Sequence, residues 1–191
     1  MSALVFLAPG FEEIEAITVI DILRRAEIET IVAGLTTNPI PASRQTRHLA
    51  DIHLADVDPA REFEIIVLPG GVEGAKRLGE SPLVGAWLNR QRDRNAWVAA
   101  ICAAPTALQA HGWLRDDQKV TSHPSVQKQF PATQMQSDKR VVVDEKGKLI
   151  TSLAAGSALE FAYEIVRQLR GEEAVKAVNA GVCATASTTP R

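Results

Sequence analysis

The sequence predicts an α/β protein, a mostly parallel sheet with helices on both faces. Two observations carry this. Residues 3–8, 29–33, 64–68 and 97–101 are short runs, largely apolar, as expected of interior strands covered on both sides. Segments with apolar residues at helical spacing separate strands over most of the chain, and that alternation is the signature of a parallel sheet. The 191 residues suit one domain, and 46% hydrophobic content with a formal net charge of −2 indicates neither disorder nor a fibrous protein.

In chain order, residues 3–8 form the first strand, ended by Pro9-Gly10. Residues 11–26 follow as a helix, with Ile14, Ile17, Ile20 and Leu23 as its apolar stripe. Glu12, Glu13 and Glu15 open it and Arg24 and Arg25 close it, matching the helix dipole as a set. Glu15 borders the stripe, and by pattern alone a solvated glutamate is favoured over a carboxylate directed into a pocket. Residues 29–33 are a strand, 36–42 a loop, 43–53 an extended excursion at a sheet edge, and 54–59 helix or loop.

Residues 64–68 are a strand ended by Pro69-Gly70-Gly71. Two glycines there are either a plain turn or a place where backbone N–H groups approach a ligand. Ser81-Pro82 starts a helix through Arg92, serine as cap and proline in the first turn. The strand 97–101 runs directly into Cys102, then into a helix closed by Gly112. A cysteine there is either a core residue or a thiol favoured as thiolate by the helix start. Residues 119–122 are a short strand leading into His123-Pro124, with a short helical stretch to Phe130. Residues 140–144 and 148–153 are a hairpin around Glu145-Lys146-Gly147. Residues 154–156 turn, and 157–169 and 172–179 are helices. Ligands of such sheets bind beyond the strands' carboxyl ends. Glu15, Gly70-Gly71, Cys102 and His123 all follow strands.

Composition narrows the function. Slight acidity gives no pull toward nucleic acid or an anionic membrane, and the apolar start is too short for a membrane span or signal peptide. Cys102 and Cys183 alone make no disulfide framework and suit a reducing, cytoplasmic compartment. Cys183 reads as incidental. No CxxC, no HExxH and no dense His–carboxylate run supports a metal. Cys102 with His123 is the one attractive nucleophile and base combination. His111 reads as a helix-end residue, and His48 and His53 as an edge pair.

The pieces ALVFLAPGFEEIEA, DILRRAEIETIVAGL, Ala42-Ser43-Arg44, FEIIVLPGG, VAAICAAPTAL, TSHP and TSLAAGSALEFA resemble the ThiJ/PfpI superfamily. They are closest to its branch containing bacterial YajL and the human Parkinson's-disease-associated deglycase. The match runs from about residue 3 to residue 179. The resemblance implies a flavodoxin-like three-layer sandwich over residues 1–180 and a homodimer; residues 181–191, small and polar toward the end, read by composition as a flexible tail. It implies that Cys102 is a reactive cysteine on a strained elbow and that protonated Glu15 donates to its sulfur. Gly71 and Ala103 are then backbone donors, His123 a catalytic partner, and Gly70, Arg44, Ala155 and Gly156 pocket residues. The implied activity is a glutathione-independent glyoxalase or deglycase acting on small 2-oxoaldehydes, without cofactor or metal. A redox-responsive, chaperone-like stress protein is the alternative, and a cysteine peptidase a third. Two departures stand out. Leu153-Ala154-Ala155-Gly156 replaces the branch's Arg-Gly-Pro-Gly, removing a positive charge from the pocket wall, and Ala42 replaces a cysteine beside the Ser-Arg pair.

Overall fold

The computed structural model describes residues 1–184. The strands are β1 (Ser2–Leu7), β2 (Glu29–Gly34), β3 (Ile40–Pro41), β4 (Arg47–His48), β5 (Ile52–His53), β6 (Ile65–Leu68), β7 (Trp97–Ile101), β8 (Val141–Asp144) and β9 (Leu149–Ser152). The helices are α1 (Glu13–Arg25), α2 (Val72–Glu80), α3 (Pro82–Asp93), α4 (Pro105–Ala110), α5 (Ala158–Arg170) and α6 (Glu172–Val182). The main sheet runs β5-β2-β1-β6-β7-β9-β8. All its neighbours are parallel except β8 and β9, the expected hairpin. The order β2-β1-β6-β7-β9 is the flavodoxin-like arrangement, with its switch point between β1 and β6.

Side chains of β1 alternate between two cores. Ala3, Val5 and Leu7 face the layer of α1, α5 and α6, whereas Leu4 and Phe6 face that of α2, α3 and α4. Both faces are therefore dry, which is why the strands read as continuous apolar runs. Helix ends follow their sequence signals. Ser81 Oγ accepts from the Val84 N–H with Pro82 in the first turn, and Gly171 ends α5 at φ +82°.

Several elements differ from expectation. Ile14 and Ile17 are exposed, and the buried face of α1 is Glu15, Ala16, Val19, Ile20, Ile22 and Leu23. Residues 119–122 form no strand, because β9 is already flanked by β7 and β8. Val120 makes only an isolated bridge to Met135, and the Thr121 N–H donates to Thr151 Oγ1 at 2.9 Å. The stretch after Pro124 is helical only over Gln127–Gln129, as one 3₁₀ turn. α2 had no counterpart in the sequence reading. The edge excursion of residues 43–53 resolves into β4 and β5, and the expected loop of residues 36–42 contains β3, which pairs with β4. His48 and His53 do not pair: His48 bonds Thr46, and His53 caps the 3₁₀ turn Leu54–Asp56. α6 continues through Val182, past the expected end at Asn179 and into the expected tail. The rest of that tail, residues 185–191, lies outside the described residues.

Candidate active site

Three chain reversals at the carboxyl ends of β1, β6 and β7 meet at the switch-point rim. Cys102 follows β7 with φ +65°, a left-handed conformation that costs a non-glycine residue energy and persists only where the surroundings enforce it. Here they do. The Cys102 N–H donates to the Ser152 carbonyl at 2.9 Å, and its own carbonyl accepts from the His123 N–H at 2.8 Å. The sulfur is thereby lifted off the sheet, half-buried, at the start of the short helix α4.

Gly70 lies beneath it. A Cβ at Gly70 would stand 2.5 Å from Glu15 Oε2 and 2.6 Å from Cys102 Cβ, so no larger residue fits. Gly71 caps α2 at φ +84°, and its N–H hydrogen-bonds Cys102 together with that of Ala103. Two backbone donors thus face one sulfur.

Glu15 is fully buried, contrary to the pattern of its helix. Its Oε2 accepts from the Gly70 N–H at 2.8 Å, while Oε1 has no partner of ordinary hydrogen-bond geometry. Burial pushes the carboxyl up to about 7, opposed by a hydrogen bond with Cys102; the nearby Glu12 charge adds to the rise and the Gly70 N–H offsets it. The thiol is pushed up to about 12, first by burial, then by the Glu15 charge and the Glu15 hydrogen bond; the Gly71 and Ala103 donors act against this. The sequence expected the helix start to favour thiolate, but burial outweighs it. The two groups are a coupled acid pair. When Glu15 takes the proton, its charge no longer opposes the thiolate and its O–H can donate to the sulfur.

The cleft above the pair encloses about 580 Å³ and is lined by Arg44, Gly71, Cys102, Ala103, His123, Ala155 and Gly156, among others. The candidate residues therefore converge on one rim, with Gly70 below it. His123 reaches the cleft, but its ring Nδ1 bonds Ser125 Oγ at 2.8 Å rather than the sulfur. The Arg44 side chain is exposed, with no ion pair or hydrogen bond among the described residues. Ser157 Oγ bonds Ser152 Oγ and Ala154, fixing the wall at 154–156. A positive charge does support this wall: Arg140 donates to the Gly156 carbonyl and pairs with Glu160 at 2.7 Å. Sequence reasoning missed Arg140, and it missed the cleft residues Glu12, Ser43, Val72 and Glu73. Among the described residues no cluster of three or more His, Cys, Asp or Glu could hold a metal, and no helix is long and apolar enough to cross a membrane.

This places the chain in the elbow-cysteine class of α/β proteins, whose sulfur stands on a tight strand-to-helix turn. The chain belongs to the DJ-1/PfpI family, which matches residues 1–168. Protein dj-1beta of Drosophila melanogaster is 44% identical over 182 residues, covering 95% of this chain and 96% of the relative. Its crystal structure superposes with a TM-score of 0.91 over 97% of this chain and 98% of that one. The glutathione-independent glyoxalase DJR-1.2 of Caenorhabditis elegans is 36% identical over 184 residues, covering 95% and 96%.

Proposed function

We propose that this protein is a glutathione-independent glyoxalase that converts small 2-oxoaldehydes to 2-hydroxy acids through Cys102, with deglycase action on their early adducts. The observation that carries the reading is the buried Glu15 carboxyl, pushed up to about 7 beside the Cys102 sulfur. A carboxyl there can hold or release a proton at neutral pH. The similarity to a named glyoxalase supports the same reading.

Above about pH 7 the pair holds one proton. Its transfer from sulfur to Glu15 makes the nucleophile. The thiolate adds to the aldehyde carbon, a C–S bond forms, and Glu15 protonates the resulting alkoxide. The Glu15 carboxylate then removes the proton on that carbon. The electron pair forms an enediolate, stabilised by the N–H groups of Gly71 and Ala103 as charge develops. Return of the proton to the second carbon leaves a thioester. Water adds, the C–S bond breaks and the thiolate departs, with His123 relaying the water's proton. One carbon is oxidised and its neighbour reduced, so the balance needs only water. Arg44 holds any anionic group at the rim. Ala155 and Gly156 leave room beside it.

The same donors around the sulfur also favour a second reading, in which an oxidised Cys102 acts as a redox signal or controls a chaperone-like function. A peptidase is the third reading, with no observation of its own behind it. A homodimer through the exposed Ile14 and Ile17 of α1 and a cytoplasmic location complete the proposal. The test is lactate detection by NMR with purified protein and methylglyoxal, without glutathione or other thiols. Cys102→Ala and Glu15→Gln should each suppress lactate, and Cys183→Ala should not. Lactate unchanged by Cys102→Ala would refute the mechanism; none from folded wild type would put the redox reading first.

A further inference from the structure

Glu13 stands in the first turn of α1, where the helix dipole alone would account for a carboxylate. Its contacts are more specific than that. Oε2 accepts from Ser43 Oγ at 2.9 Å, and Oε1 accepts from the Arg44 N–H at 2.7 Å and from Thr46 Oγ1 at 3.0 Å. Three donors of one tight turn, residues 43–46, converge on one carboxylate. Thr46 Oγ1 also bonds His48 Nε2 at 2.9 Å, carrying the connection into β4. Burial works against the Glu13 charge, but hydrogen bonds from Ser43, its own backbone, Arg44 and Thr46 outweigh it and hold the carboxyl below its ordinary value. The turn is further tied by Ser43 N–H to the Phe11 carbonyl at 2.8 Å and by Ala42 N–H to the Thr46 carbonyl at 2.9 Å.

Ser43 and Arg44 line the cleft over Cys102. The Arg44 backbone is fastened to Glu13, while its side chain is exposed and unpartnered among the described residues. α1 therefore carries both the peg of this turn and, two residues on, the acid beside the sulfur. Fastening the backbone fixes the root of the Arg44 side chain at the cleft, which keeps its charge within reach of a reactant there.

We infer that Glu13 is a positioning residue: by pinning residues 43–46 to α1 it holds the Arg44 guanidinium at the cleft mouth, so that the site favours electrophiles carrying an anionic group such as a carboxylate. The inference rests on the reading of Cys102 as the nucleophile, but not on turnover. The substrate class it names is 2-oxoaldehydes, or their adducts, with a negative charge near the carbonyl.

The test compares alkylation of Cys102 by anionic iodoacetate and by neutral iodoacetamide in a Cys183→Ser background. In both, the thiolate forms a C–S bond and iodide leaves. The ratio of the two rates reads the anion preference. Arg44→Ala should lower the ratio about fivefold or more, since charged clefts alter encounter rates by tenfold upward. Glu13→Ala should lower it by a similar factor, and the double variant no further. Glu13→Gln, which keeps an acceptor for the turn without the charge, should retain the wild-type ratio or exceed it. Removing a negative charge alone would raise the ratio in Glu13→Ala; that result, or an unchanged ratio, overturns the inference. Should Glu13→Ala not fold, Thr46→Val removes one of the three donors and should give a smaller drop in the same direction; no drop overturns the inference. Failure of the glyoxalase reading would show as absent lactate with this ratio intact, so the two failures are distinguishable.

Discussion

Replacing Glu15 with glutamine should make the protein more stable at alkaline pH while abolishing its chemistry. The carboxyl is raised from 4.5 to about 7 in the folded state, chiefly by burial. A folded-state pKa above the unfolded one means that the fold prefers the protonated acid. The associated stability is present in full below about pH 4.5 and is lost as pH rises through about 7. At about 1.36 kcal/mol per pH unit, the loss amounts to roughly 3 kcal/mol, most of it between about pH 5 and pH 8. Glutamine is uncharged throughout and its amide oxygen can still accept from the Gly70 N–H, so Glu15→Gln escapes the loss.

The assay is urea unfolding of both proteins at about pH 5 and about pH 8, with the stability difference compared between the two. The difference should move by about 2–3 kcal/mol in favour of Glu15→Gln, equivalent to roughly 5–10 °C in Tm for a chain of this size. In a Cys102→Ala background the change should grow, because the Cys102 hydrogen bond is the larger of the two that hold the Glu15 pKa down. A stability difference that does not change with pH would refute the reasoning, for it would mean that the carboxyl titrates as a solvated group.

The remaining predictions concern the sulfur and the surface. Glu15→Gln should alkylate with iodoacetamide faster than wild type at about pH 9, since the Glu15 charge is one cause of the high thiol pKa, yet should turn over methylglyoxal far more slowly; parallel changes in the two rates would contradict the separate roles. Wild-type kcat/KM should rise with pH through about 7 as the pair loses its first proton, and a flat profile would remove Glu15 from the mechanism. Mild peroxide should add two oxygens to Cys102 and few to Cys183, read by peptide mass spectrometry; the opposite order would end the redox reading. Ile14→Glu with Ile17→Glu should sediment at the single-chain mass of 20.6 kDa and wild type at about twice that, with a monomeric wild type defeating the dimer.

The sheet was legible because both of its faces are covered. Continuous apolar runs such as residues 65–68 leave little choice but an interior strand. What the pattern misread lies on α1. Ile14 and Ile17 fit the helical stripe yet face outward, while Glu15 breaks the stripe and is buried. Periodicity reports the average partition of a helix, and interaction surfaces and reactive sites are where residues depart from it. Only the family resemblance turned Glu15 inward. α2 escaped notice for a related reason. Gly74 and Gly79 weaken its helical signal, but a Cβ at Gly74 would stand 2.8 Å from the Phe11 backbone, and one at Gly79 3.3 Å from Ala107. The close approach that requires these glycines is a tertiary fact.

The state of Cys102 was the least legible feature, because it depends on two opposing sets of interactions. A helix start and two backbone N–H groups favour thiolate; burial and a neighbouring carboxylate oppose it. Spacing in the sequence reveals the first and hides the second. With the thiol raised to about 12 and the acid to about 7, the free thiolate is scarce at neutral pH unless its proton moves to Glu15. In the proposed mechanism reactivity then belongs to the pair and not to the cysteine alone. The transfer leaves the total charge unchanged, so burial penalises it far less than it penalises loss of a proton to water. In the proposed mechanism such a site becomes nucleophilic when a bound carbonyl can accept the electrons and take the proton back. In that mechanism the elbow at Cys102, the absence of a side chain at Gly70 and the inward turn of Glu15 together bring acid and sulfur close enough for the single proton transfer.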